Sequence, residues 1–205
     1  MKIRTMAAAC MLGLLTACSA AGPQYLVETR TSDLRVRAKV PTVVVRTVSL
    51  PTYAADQKIA VQDETGSIRA EDFGLWADEP ERATTLSITR HLNQMTSAKV
   101  APDPWPLPEP PEGVIDIRIE TFIATNRNTF RAEGQYFMGS EIPDPIDDLD
   151  DPDTPPKVLP APLADKAQLF SIEIPLPTQT AADISVAQSA ALLALSEKVA
   201  RDLAR

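Results

Sequence analysis

Cysteine and histidine are nearly absent from this sequence. It has two cysteines, Cys10 and Cys18, and one histidine, His91, among 205 residues. Because both cysteines lie at or before position 18, the rest of the chain can form no disulfide and no thiolate metal site. An imidazole metal site would need more histidines, and a Ser-His-Asp site would have to use His91. We therefore expect a non-enzymatic domain that binds no metal or cofactor and is held together by packing alone.

Basic residues are also scarce relative to acidic ones. The chain has 20 lysines and arginines against 28 aspartates and glutamates, which gives a net charge of −8. A surface of this sign repels nucleic-acid phosphates and anionic lipid headgroups. The sequence also lacks the GxxxxGK pattern of a phosphate-binding loop, so this chain is not expected to hydrolyse ATP. These absences exclude the nucleic-acid-binding and nucleotide-hydrolysing classes.

The first residues have the pattern of an export signal over residues 1–17. Lys2 and Arg4 precede a run of ten apolar residues, 6–15, which would span about 15 Å as a helix. This is half of a bilayer core, too short for a membrane-spanning helix but suited to a signal peptide. Leu15-Thr16-Ala17-Cys18 follows and resembles a lipobox, at which the chain is cut before the cysteine and that cysteine receives diacylglyceryl and N-acyl groups. The alternative is an ordinary secretory signal followed by a chance cysteine.

A lipid on Cys18 would anchor the chain in a membrane. Several acyl chains, at about 0.8 kcal/mol per buried methylene, make a stable anchor where one chain is marginal. Residues 18–24 would then form a lipidated tether. The residue after the cysteine is Ser19 rather than an aspartate. In the enterobacterial sorting rule this resembles an outer-membrane lipoprotein, so we expect the domain on the periplasmic face of the outer membrane.

Residues 25–205 predict a single α/β domain. Alternating or β-branched runs predict strands over residues 25–30, 40–50, 59–61, 67–70, 114–124, 130–138 and 167–174. The run 40–50 has five valines in eleven residues and should be buried on both faces. In the run 114–124, the side chains expected to share the core face are those of Ile115, Ile117, Ile119 and Ile123.

Two helices should cover the sheet. Asp78, with Glu81 three residues later, predicts the start of a helix over residues 78–97. His91 is offset from the apolar stripe of this helix and is expected at the surface. An alanine-rich helix is predicted over residues 180–203. Together these elements predict an α/β sandwich with a mixed β-sheet and two main helices.

Two segments are expected to lack regular structure. Residues 102–112 hold six prolines in eleven, which indicates a polyproline-type loop around Trp105. Residues 141–165 begin with an acidic, proline-rich stretch and are expected to form a disordered insert. Calcium binding by this insert is an alternative, but it lacks the central glycine and terminal glutamate of an EF-hand. The insert is interpreted as a solvated spacer or as a contact for a basic partner.

The order of these features resembles the PqiC-like family of ABC-transport auxiliary lipoproteins. The matching segments are the lipobox, YLV at 25–27, VVVRTVSLPTY at 43–53, DQKIAVQ at 56–62, LWADEP at 75–80 and LLALSEKVARDL at 192–203. Asp78-Glu79-Pro80 is one residue longer than the family pattern. The proline-rich stretch and the acidic insert also look longer than the family needs, and could change the choice of partner.

The resemblance implies a fold and a role. The fold should be similar to the anticodon-binding-like sandwich, which also occurs in the N-terminal domain of TolB. Members of the family sit in the outer membrane and work with MCE-domain proteins and an inner-membrane complex that moves lipids. The chain would thus be a non-catalytic accessory lipoprotein that docks the periplasmic transport component at the membrane. The alternatives are a module that carries lipid in an apolar groove between helix and sheet, and a hydrolase that depends on His91.

Four residues are candidates for partner binding. Tyr53, Gln57 and Trp76 would form a docking surface near the first long helix, because tryptophan and tyrosine are effective interface anchors. The structural alternative is that Trp76 fills the junction of helix and sheet and that Tyr53 packs a turn. Trp105 is either folded back on the domain or offered to a partner.

The lipobox makes a direct prediction about Cys18. We expect Cys18→Ala to abolish incorporation of an alkynyl fatty acid that labels the wild-type chain in growing cells, because the acylated thiol is lost. Labelling is read by gel fluorescence after purification. Undiminished labelling of the variant would refute the anchor.

Overall fold

A computed structural model describes residues 22–70, 73–140 and 161–204. The predicted signal peptide over residues 1–17, Cys18, the first part of the predicted tether and most of the predicted insert lie outside these ranges. The described residues contain all the predicted strands and long helices, together with the proline-rich loop.

Groups of consecutive strands are separated by helices along the described chain. In order they are β1 (Gln24–Tyr25), β2 (Thr42–Val45), α1 (Thr52–Ala55), β3 (Val61–Gln62), β4 (Ile68–Arg69), β5 (Leu75–Trp76), α2 (Pro80–Met95), β6 (Lys99–Pro102), β7 (Gly113–Ala124), β8 (Thr129–Gly139), β9 (Lys166–Pro175) and α3 (Ala181–Leu203). The short β1 and β5 pair in parallel with each other. The chain is therefore mixed α/β, with two long helices, as predicted.

Strand β7 is at the centre of the main sheet. Along one edge it pairs in parallel with β2 near its start and with β3 at its last residue. Along the other edge it pairs with β8, which pairs in turn with β9, and both of these ladders are antiparallel. Beyond β2 lies β6, and beyond β3 lies β4. The sheet is thus mixed, as the sequence predicts.

Helices α2 and α3 pack against each other and against one face of this sheet. Their apolar side chains, among them Ile88, Leu92, Ile184 and Leu195, share a single core with Val43 and Ile117 of the sheet. The opposite face carries polar residues such as Arg118, whose guanidinium stacks over the ring of Phe137 at 5.1 Å. Within residues 22–70, 73–140 and 161–204 the architecture is therefore two-layered, with the long helices on one face of the sheet.

A β-bulge in β7 corrects the predicted core face of this strand. The pairing with β8 shifts register between Ile119 and Thr121, so Phe122 and Ala124 join the core. Because an extra residue reverses the alternation of side chains, Ile123 points to the other face, opposite Arg131. The predictions for Ile115, Ile117 and Ile119 are confirmed. Ile123 is also buried, at 6% exposure, but the prediction that it shares their face is wrong.

Several predicted boundaries also change. The first strand is limited to β1, after which the chain runs beside α3 and the Glu28 N–H donates to Ser189 Oγ at 3.0 Å. Helix α2 begins at Pro80, and Asp78 accepts the Glu79 N–H instead of capping the helix. Leu163 is 1% exposed, so the chain is already packed before residue 165, the predicted end of the insert.

His91 is buried between the two long helices, which corrects the prediction of a surface histidine. It is fully buried, and its Nδ1 lies 3.2 Å from the Oγ of Ser196 on α3. Burial, reinforced by repulsion from Arg90, lowers the pKa of His91 from its ordinary 6.5 to about 4. The neutral imidazole is therefore a packing element of the interface between α2 and α3.

Gly134 generates a stability prediction. It lies opposite the bulge, and a Cβ added there would come 2.2 Å from the carbonyl oxygen of Arg118. We expect Gly134→Ala to lower the free energy of unfolding by about 1–3 kcal/mol, because the two backbones must separate. Gly22→Ala is the matched control, since an added Cβ there meets nothing within 4 Å. Equal urea midpoints for the two variants would contradict this assignment.

The buried His91 predicts a pH dependence of stability. Its folded pKa lies below its unfolded pKa, so the unfolded chain binds the proton more readily between about pH 6.5 and 4. The neutral imidazole makes its full contribution to the free energy of unfolding above pH 6.5. About 2 kcal/mol of this contribution should be lost when the pH falls to 5.

His91→Gln is the comparison variant, because glutamine does not titrate between pH 6.5 and pH 4. The free energy of unfolding of both proteins is measured in urea above pH 6.5 and at pH 5. Carboxylates titrate alike in both proteins, so the difference between their pH dependences isolates the histidine. An equally steep loss of stability in His91→Gln would show that this imidazole is not responsible.

Candidate functional site

Trp76 fills the junction between the sheet and α3. It ends β5 and is 6% exposed. Its surroundings include Phe122 and Phe130, whose rings meet edge to face at 5.0 Å, and Ile184 of α3. The space left beside the indole is about 10 Å³. Trp76 therefore packs the core at this position and presents almost no surface to a partner.

Tyr53 and Gln57 lie next to Trp76, so the structure brings the three predicted residues together. Tyr53 is half-buried on α1, and its hydroxyl accepts the Phe122 N–H at 3.1 Å. The carbonyl of Gln57 accepts the Trp76 N–H at 2.7 Å, while the residue as a whole is exposed. This cluster fastens α1 and β5 to the bent end of β7. Within it, Gln57 is the residue that a partner could reach most easily.

The tight packing around Trp76 argues against the alternative in which the protein carries lipid between helix and sheet. Ligand sites usually have volumes of about 300–1,000 Å³, far above the space beside Trp76. An acyl chain therefore has no room between α3 and the sheet at this place. The larger hollows on the described surface are open grooves at other positions.

The tether joins the domain at β1 and β5. Pro23 accepts the Leu75 N–H at 3.2 Å, and Tyr25 accepts the Ala77 N–H at 2.8 Å, both through backbone carbonyls. Gly74 has φ of 126°, and a Cβ there would lie 2.9 Å from the Tyr25 ring. A side chain at position 74 would thus disturb the attachment of the tether, and no local sequence pattern indicates this.

The proline-rich loop is ordered and folded against the sheet. The Asp103 N–H donates to the Val45 carbonyl at 2.9 Å, and the indole N–H of Trp105 donates to the Glu109 carbonyl at 2.6 Å. At the other end of the loop, the Glu112 N–H donates to Thr42 Oγ1 at 3.0 Å. Trp105 is half-buried. Its side chain therefore folds back on the domain, as one alternative predicts, while part of the ring stays accessible to a partner, as the other predicts.

This loop forms one wall of a groove of about 440 Å³. The groove is lined by residues of the loop, including Trp105 and Leu107, and by residues near the starts of β2 and β6, including Thr42 and Lys99. Leu107 is 44% exposed. Sequence reasoning missed Leu107 and Lys99, because nothing in the local pattern indicates that the loop closes on the strand start at position 42.

Metal-binding clusters and membrane-spanning helices are both absent from the described ranges of the chain. Residues 22–70, 73–140 and 161–204 contain no cluster of three or more metal-ligating side chains. Nor does any helix within these ranges combine the length and apolar character needed to cross a bilayer. His91, the only histidine, has a serine hydroxyl as its neighbour rather than a carboxylate.

Two solved structures are similar to this fold. The crystal structure of an uncharacterized protein has a TM-score of 0.60 at 11% identity, over 83% of this chain and 99% of that one. Protein XCC0632 from Xanthomonas campestris, assigned to the DUF330 family, also has a TM-score of 0.60, at 14% identity over 87% of this chain and 92% of that one. At these identities the similarity concerns the fold alone. No curated protein matches the chain significantly.

A family sequence model matches residues 25–200 and is described as the ABC-type transport auxiliary lipoprotein component. The match runs from the first residue after the tether to the last turns of α3, and so covers nearly all of the described domain. This agrees with the resemblance carried by the lipobox and the segments around Tyr53 and Trp76. The chain therefore belongs to the family of ABC-type transport auxiliary lipoprotein components.

Proposed function

We propose that this chain is a non-catalytic, outer-membrane-anchored adaptor of a lipid transport system. Acyl chains on Cys18 would hold it at the periplasmic face of the membrane. The folded domain would bind an MCE-domain protein that connects to an inner-membrane ABC-type complex. The observation that carries the proposal is the family match over residues 25–200, which begins seven positions after the lipobox cysteine.

The structure supports a positional role over a carrier role. The interface between α3 and the sheet is filled by Trp76, Phe122 and Phe130, leaving about 10 Å³ beside them. A protein that carried a phospholipid in this interface would need a cavity tens of times larger. An adaptor needs only a stable domain, an anchor and an accessible surface. The expected likeness to the anticodon-binding-like and TolB N-terminal folds stays a prediction.

The proposal predicts where the protein is found and what accompanies it. When membranes are separated by density, we expect the wild-type chain in the outer-membrane fraction. Immunoprecipitation after crosslinking in intact cells should recover an MCE-domain protein, identified by mass spectrometry. Cys18→Ala should leave the membrane fraction, because the acyl chains that supply the binding energy are gone.

The same experiment separates the alternatives. Recovery of the wild-type chain without any MCE-domain protein, under conditions that crosslink known neighbours in the envelope, would argue against the adaptor role. Stoichiometric phospholipid bound to the soluble form of Cys18→Ala would favour the carrier. Membrane association that survives Cys18→Ala would mean that the domain is held by something other than its lipid.

A further inference from the structure

The domain has two ends, and the proline-rich loop lies at one of them. β2, β6 and β7 are parallel, so they all start at the same end, at Thr42, Lys99 and Gly113. Helix α3 finishes at this end too, since the Lys39 N–H donates to the Leu203 carbonyl at 3.0 Å. We call this the distal end, and it includes the loop over residues 103–112.

The chain enters the domain at the opposite end. There the last residue of β7, Ala124, pairs with Val61 of β3. The first turns of α3 are also there, because the Gln179 side chain donates to the Thr125 carbonyl and Ser185 Oγ donates to the Leu26 carbonyl. We call this the tether end, and it includes Gly22. The two ends are separated by the length of α3, whose 23 residues span about 34 Å.

The tether is too short to let the domain turn freely. Cys18 and Gly22 are four residues apart in the sequence, a span of at most about 14 Å when fully extended. The headgroup layer occupies about 6 Å of this reach on each side of a bilayer. The tether end of a domain acylated at Cys18 therefore stays near the lipid, whereas the distal end can lie up to about 30 Å further from the membrane.

The distal groove is preformed rather than adaptable. Its wall is fixed at both ends and in the middle by the hydrogen bonds of Asp103, Trp105 and Glu112. Its lining includes the apolar Trp105, Leu107 and neighbouring prolines, together with two acidic residues, Glu109 and Glu112, and one basic residue, Lys99. A rigid groove with a tryptophan at its centre is the kind of surface that captures a side-chain anchor at low entropic cost.

We propose that the groove between Trp105, Leu107 and the start of β6 is the docking site for an apolar polypeptide segment with a basic flank, supplied by a periplasmic transport component. The proposal rests on the proposed function, since acylation at Cys18 turns this groove away from the membrane. A component that reaches the domain from the periplasmic space meets the distal end first. The excess of acidic over basic residues in the lining favours a basic flank.

The orientation can be tested on the full lipidated chain in vesicles. Residues after Cys18 include no cysteine, so Ile68→Cys and Leu107→Cys can each carry one nitroxide label. Both positions are exposed, at 49% and 44%, and Ile68 belongs to β4 at the tether end. We expect vesicles containing a nickel-chelating lipid to relax the label at 68 several-fold more than the label at 107. Equal or reversed relaxation would overturn the orientation.

The docking site can be tested in intact cells with a photocrosslinking amino acid at position 107. Position 169 is the matched control, because Leu169 is 77% exposed on the sheet, away from the groove. We expect an adduct with a component of the ABC-type system from position 107 and none from 169. Leu107→Asp should reduce recovery of that component at least tenfold, and Leu169→Asp should leave recovery unchanged.

Three outcomes would overturn the docking site. These are an adduct from 169 but not from 107, an adduct from 107 with phospholipid, and an adduct from 107 with a second copy of the chain. If a transport component is still recovered in these cases, the adaptor function stands and only the placement of the site fails. If no component is recovered and Cys18 is not acylated, the proposed function fails as well.

Discussion

Hydrogen bonding of β7 along both of its edges is the constraint on which the fold depends. One edge receives β2 and β3, and the other receives β8. The start of β7 lies where the proline-rich loop is fastened, through Glu112 and Thr42. Its bent end lies where Tyr53 fastens α1, through the Phe122 N–H. One strand thus sets the distance between the proline-rich loop and the cluster around Tyr53.

Packing replaces covalent links in this domain. The interface between α2 and α3 is rich in small residues, and Ala187, Ala191 and Ala200 of α3 are buried there or against the sheet. Several hydroxyl groups in the interface are satisfied within their own helices, as when Thr89 donates to the Thr85 carbonyl and Ser196 to the Leu192 carbonyl. Such bonds pair donors within a partly polar interface, while the Thr84 and Ser87 hydroxyls of α2 are buried without a partner among the described residues.

The elements that could be predicted from sequence are those whose signal is local. β7, β8 and α3 appear at their predicted positions because alternation or helical periodicity continues over ten or more residues. The inward turn of Phe122 could not be predicted, since it depends on a bulge that Gly134 accommodates from the neighbouring strand. Burial of His91 likewise depends on Ser196, which lies 105 residues further along the chain.

The candidate site also combines features that the local sequence predicts with features that depend on long-range contacts. The sequence singled out Tyr53, Gln57 and Trp76, and the structure brings them together, yet Trp76 is almost fully enclosed. Trp105 was recognised as unusual, but not as part of a groove. The closure of its loop depends on Thr42, which lies 70 residues before Glu112. Proline content indicates that a segment is irregular, whereas the surface it folds against is set by tertiary contacts.

The direction of α3 determines where a C-terminal fusion would lie. Because the helix finishes beside Lys39, a purification tag or fluorescent protein fused behind it would emerge next to the Trp105 loop. Such a fusion would crowd the proposed docking groove without altering the predicted lipobox. A well-localised but inactive fusion is therefore the expected behaviour of a C-terminally extended chain, and the label is better inserted elsewhere.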